Sequence, residues 1–221
     1  MKTAILVDGG FYRRRAQVAF GDKNPGERAD ELEDYCIRHL KHKNGSKDYL
    51  YRIFYYDCQP TAKCVYHPLK KSAINMKQTE LYAWANEFFD ELKCKRKFAL
   101  RFGRLAEEQA YYSLNKEVVK KLCDGSRSWG DIKETDFSLS IEQKGVDMKI
   151  GLDIASLAYK KQVDRIILIS GDSDFVPAAK LARREGIDFV LDPLGSKIKP
   201  DLLEHIDGLS SCDKAYMAKV K

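Results

Sequence analysis

Acidic residues carry the chemistry that this sequence suggests. Three motifs hold them: Val7-Asp8-Gly9-Gly10, Lys144-Gly145-Val146-Asp147 and Ser170-Gly171-Asp172-Ser173-Asp174-Phe175. Asp8 and Asp172 each follow a short apolar run that reads as a strand, and ligands of open parallel sheets bind beyond the carboxyl ends of strands. Asp147, Ile150, Ile154 and Leu157 share one helical stripe, which predicts that Asp147 points inward from a first turn. Carboxylates gathered at one edge repel one another, and a buried one is costly unless paired or bound to a metal. Oxygen-only ligation without a fixed His or Cys selects Mg²⁺ or Mn²⁺. Such an ion activates water and stabilises in-line attack at phosphorus, so the chemistry suggested is phosphodiester hydrolysis. Two of the acids also have a structural alternative: Asp174 as a helix N-cap, and Asp147 as a first-turn residue favoured by the helix dipole. Asp8 has the weakest such alternative.

Basic residues supply the counterpart. The chain carries 39 Lys and Arg against 33 Asp and Glu, a net charge of +6. The excess sits between Cys58 and Arg104, where ten basic residues face four acidic ones. A moderately basic protein with one basic region fits a polyanion, because binding releases phosphate counterions. Arg13, Arg14 and Arg15 follow the Asp8 turn and fan around a helix, so at most one or two can face the acids; one could clamp a phosphate, and a solvated face is the favoured alternative. Lys95, Arg96, Lys97 and Arg101 lie near Trp84, Phe88 and Phe98, a mixture of cations and aromatics that single-strand binders use. The helical spacing of these aromatics also fits core packing. Cys58, Cys64 and His67 lack a fourth partner for zinc, and no phosphate-binding G-x-x-x-x-G-K-[ST] loop is present.

The elements that must position these residues read as alternating strands and helices. Strands are expected at Thr3 to Val7, Tyr49 to Tyr56, Arg165 to Ile169 and Ile187 to Leu191, with a further one within Phe98 to Leu105. Helices are expected at Phe11 to Ala19, Glu27 to His42, Lys77 to Leu92, Gly145 to Lys160 and Asp174 to Glu185, the last ended by Gly186. Alternation with continuously apolar strands predicts an α/β fold: a doubly wound, Rossmann-like parallel sheet flanked by helices. A single domain over 1–221 is expected, with its core at about 1–56 and 140–207 and a mixed helical insertion at about 57–139. The apolar runs are too short to cross a bilayer, and Met1 to Asp8 is too short and too polar for a secretory signal. With six scattered cysteines, a reduced, cytoplasmic protein is expected.

The three acidic motifs, in this order and ahead of a glycine at 186, resemble the NYN-domain family of PIN-like nucleases, its bacterial LabA-like branch most of all. The resemblance implies a PIN-like sheet and a Mg²⁺ or Mn²⁺ site that cuts RNA. Carried over by motif, Asp8, Asp147 and Asp172 are the metal ligands, and Asp174 is a fourth ligand or positions water. Asp153, flanking the Asp147 stripe, and Ser170, inside the third motif, would support the ligands from behind. Many relatives have an Asn soon after the first Asp, where this chain has Gly10-Phe11-Tyr12. A catalytically weak or inactive module that binds nucleic acid or a protein partner is therefore the alternative. A phosphatase of the haloacid-dehalogenase type fits poorly, because Gly10 stands where its second acid belongs. A homodimer is compatible with a small core seating a long middle section.

Overall fold

The computed structural model describes residues 1–42 and 44–217. Six parallel strands form the central sheet: β1 (Lys2–Asp8), β2 (Tyr49–Asp57), β3 (Phe98–Phe102), β4 (Arg165–Ile169), β5 (Asp188–Asp192) and β6 (Gly208–Leu209). Their order across the sheet is β3-β2-β1-β4-β5-β6. The chain thus winds outward from β1 in one direction, returns to the middle, and winds outward in the other. The reversal falls between β1 and β4, the position at which doubly wound sheets open a ligand crevice.

The helices are α1 (Gly9–Phe20), α2 (Pro25–His39), α3 (Glu80–Cys94), α4 (Lys116–Cys123), α5 (Val146–Tyr159), α6 (Val176–Arg184) and α7 (Pro200–Leu203). In β1, Ala4 to Val7 are fully buried, as a central strand covered on both faces requires. Ala4 and Leu6 join the core beneath α5 and α6, whereas Ile5 and Val7 join the one beneath α1, α2 and α3. That division follows from the two-residue period of a strand. Asn24 and Glu27 close a capping box at the start of α2, and Pro25 sits where its missing N–H costs nothing. No described helix is long and apolar enough to cross a membrane.

The middle of the chain differs from expectation. β3 and α3 come from the segment read as an insertion, 57–139, yet β3 is the edge strand of the sheet and α3 packs on its face. Their apolar residues make them part of the core. The remainder of that segment builds short antiparallel ladders, Cys64–His67 with Ser72–Asn75 and Tyr111–Leu114 with Phe137–Ser140, together with α4. The His67 ring packs at a tilt against Tyr112 and Phe137, which ties the two ladders together.

Candidate active-site cleft

A cleft of about 860 Å³ opens at the carboxyl ends of β1 and β4. Asp8, Asp147 and Asp172 line it together with Arg13, Arg14, Lys23, Trp84 and Gln143. Strand register explains the first contact. Val7 pairs with Ile169, so Asp8 and Ser170 are neighbours just beyond the ladder. The buried Ser170 hydroxyl donates to Asp8 Oδ2 at 3.3 Å and accepts the Asp172 N–H at 3.3 Å. Asp172 Oδ1 in turn accepts the Asp174 N–H at 3.0 Å. Ser170 therefore fixes the third motif against the first.

Asp8 has a structural task as well. Its Oδ1 accepts the Phe11 N–H at 3.0 Å, which makes Asp8 the N-cap of α1, and the helix begins at once with no intervening turn. Gly9 permits that start, since a Cβ there would lie 2.7 Å from Asp57 Oδ2 and against the Tyr55 ring. Asp147 is exposed on the cleft wall; its neighbour Val146 takes the buried place at the head of the α5 stripe. Both positions continue the Ile150–Ile154–Leu157 face within one turn, and the apolar side chain wins burial. Asp172, not Asp174, is the capping acid, and it caps a single 3₁₀ turn at Ser173–Phe175. Asp174 is exposed and does not line the cleft.

The acids feel one another. Burial, then the charge of Asp147, push the Asp8 carboxyl above its ordinary range, against the Phe11 hydrogen bond that lowers it. Partial desolvation against the cleft wall, then the charges of Asp172 and Asp174, do the same to Asp147. None of the four makes an ion pair with Lys, Arg or His among the described residues. Uncompensated, mutually repelling carboxylate oxygens are the donor chemistry that a hard divalent cation takes. Still, no three His, Cys, Asp or Glu residues among those described are already gathered tightly enough to hold one ion.

Other expected residues divide. Arg13 and Arg14 line the cleft, while Arg15 turns away to the Leu194 and Tyr216 carbonyls. Asp153 lies outside the cleft lining, held by the Tyr56 hydroxyl at 2.8 Å and by Arg101 Nε at 3.2 Å. Those contacts also occupy Arg101, whose guanidinium lies over the Phe54 ring. Lys95, Arg96 and Lys97 sit at the amino end of β3, whereas the cleft opens at the carboxyl ends. Lys95 pairs there with Asp30 and Glu33, and Lys97 bonds the Leu50 carbonyl and covers Tyr49. A parallel sheet separates its two ends by the length of a strand, so these cations are removed from the acids.

Asp57 went unread in the sequence. It ends β2 as Asp8 ends β1, one residue beyond the Asp8–Tyr56 register pair, so the same argument from strand ends reaches it. Asp57 is fully buried, receives the Tyr55 hydroxyl at 3.1 Å and the Cys58 N–H at 2.7 Å, and pairs with Arg13 at 2.9 Å. Burial raises its pKa, and the Arg13 charge is the strongest of the influences that lower it. Arg13 is thereby held at the cleft wall.

The NYN domain family profile matches residues 65–198, more than half of the chain. The chain belongs to the NYN domain family. NYN domains are PIN-like nuclease domains that act on nucleic acids. The matched span contains Asp147, Asp172 and Asp174 and begins after Asp8. An uncharacterized protein, y4oD, of Sinorhizobium fredii is 31% identical over 81 residues, which cover 35% of this NYN chain and 38% of that protein. The chain therefore spans less than two-fifths of that relative's length. A solved structure of a protein of unknown function, VPA0982 of Vibrio parahaemolyticus, superposes with a TM-score of 0.50 at 16% identity, covering 97% of this chain and 94% of the other. That likeness concerns the fold.

Proposed function

We propose that this NYN domain is a divalent-cation-dependent endoribonuclease. One observation carries the reading: Asp8, Asp147 and Asp172, far apart in the chain, line one cleft at the strand-order reversal with no cation paired to them among the described residues. In this reading Asp8, Asp147 and Asp172 are the ligands of Mg²⁺ or Mn²⁺, and Asp174, outside the cleft lining but close enough for its charge to act on Asp147, orients water from the rim. The ion, when bound, lowers the pKa of a water and offsets charge at phosphorus. Asp8 is held for this task by Phe11 N and Ser170, and Asp172 by Ser170. Arg14, exposed in the cleft lining, and Arg13, anchored by Asp57, face the substrate phosphates.

The absence of a preassembled acidic trio among the described residues favours a second reading, a module that binds nucleic acid without cutting it. One comparison separates the two. Purified protein and its Asp172→Asn variant are incubated with RNA in Mg²⁺ or Mn²⁺. Cleavage by the first and loss of at least about a hundredfold in the second, the scale of a lost electrostatic contact in a catalytic site, supports the nuclease. RNA binding without cleavage in either ion supports the second reading, and undiminished cleavage by Asp172→Asn rejects the site.

A further inference from the structure

The cleft is longer than its acids need. Residues of α1, α2 and the start of α3 also line it, and Trp84 lies there beside Leu81, an exposed leucine one turn earlier. The indole is fixed on two sides. It stacks on Phe88 with centroids 5.1 Å apart and planes 16° apart, and its N–H donates to the Lys23 carbonyl at 2.9 Å. A core tryptophan would bury its remaining surface, but Trp84 stays partly exposed to the cleft.

We propose that Trp84 is a stacking platform for one unpaired nucleobase of a single-stranded nucleic acid whose backbone runs on to the acids. The proposal rests on the nuclease reading of the same cleft and adds to it where the strand is gripped. A cation for the backbone is at hand, because Arg14 lines the same cleft without an ion-pair partner among the described residues, beside Arg13 and Lys23, which pair with Asp57 and Glu31. Charge also favours a base, not a phosphate, at this end. Glu80, exposed and one turn before Trp84 on the same helix face, repels a phosphate placed over the ring. A flat, pre-positioned ring accepts any base by its face and loses little freedom on binding. A base inside a duplex is already stacked and offers no free face, so the platform selects single strands.

The test measures binding, apart from cleavage. In a protein carrying Asp172→Asn and Trp129→Phe, Trp84 is the sole tryptophan. Short single-stranded RNA and DNA oligonucleotides and a blunt duplex of equal length are titrated against its fluorescence. Quenching by single strands and not by the duplex is expected, with affinity falling at least about tenfold in Trp84→Ala and held within about threefold in Trp84→Phe. Should Trp84→Ala fail to fold, abasic substitution along the oligonucleotide tests the same contact with Trp84 in place: one position must weaken binding by a similar factor. Unchanged fluorescence at saturation, equal affinity of Trp84→Ala, abasic sites without effect, or no binding at all overturns the inference. A protein that binds and quenches but never cuts RNA would refute the nuclease reading and leave the platform standing.

Discussion

Removing Arg13 exposes the energetics of the cleft wall. Asp57 is fully buried, and Arg13, whose side chain is 27% exposed, is its sole ion-pair partner among the described residues. The Tyr55 hydroxyl and Cys58 N–H would remain as donors, but no positive charge would. Breaking a buried pair from one side costs about 3–5 kcal/mol. With two neutral donors left in place, Arg13→Met is expected to cost about 3 kcal/mol, near the lower end of that range. At roughly 2–4 °C per kcal/mol for a domain of this size, the melting temperature falls by about 6–12 °C. Asp57→Asn in the same chain removes the stranded charge, so the double variant should recover most of the loss, a coupling of about 2 kcal/mol or more. Thermal or urea unfolding of the four proteins measures the cycle. A loss below about 1 kcal/mol in Arg13→Met, or strict additivity of the two changes, would refute the argument that Arg13 compensates Asp57.

Two further predictions concern the frame of the site. His39 lies on buried Asp192, which also receives the Tyr35 and Ser211 hydroxyls. Burial opposes the imidazolium, but the bonds to Asp192 and Cys212 prevail and push its pKa up to about 9. A raised pKa stabilises the fold fully below about pH 6.5 and loses that contribution as pH rises toward 9. His39→Gln should flatten this fall, and a wild-type stability that is level from pH 6.5 to 9 would contradict it. Gly9→Ala forces a Cβ against Tyr55 and to 2.7 Å from Asp57 Oδ2. Overpacking of this kind costs about 1–3 kcal/mol, and an Ala variant as stable as the parent in urea would show that α1 starts less closely on β2 than described.

The strands and their two-faced burial were legible because central parallel strands are apolar at every position, a signal that local composition carries. Long-range pairing was not. Nothing local in Phe98 to Phe102 says that it pairs with β2, so a core strand passed for part of an insertion. The three acidic motifs reached the same cleft because each sits at a strand end or first turn, which the chain advertises through Gly and Asp. Asp147 illustrates the limit: two adjacent positions satisfied one helical stripe, and Val146 took the burial. The cations misled for a similar reason. Lys95 to Lys97 are close in sequence to the cleft-lining α3, yet they lie at the other end of the helix and sheet, with Lys95 neutralised by Asp30 and Glu33. Charge counts along a chain carry no information about which end of a sheet the charges reach.

Crystals soaked in Mn²⁺ and measured for anomalous scattering ask the central question most directly. The account predicts one strong peak with oxygen ligands from Asp8, Asp147 and Asp172, absent from crystals of Asp172→Asn. No peak in the cleft at millimolar Mn²⁺, or a peak coordinated by other residues while these carboxylates stay apart, would contradict it.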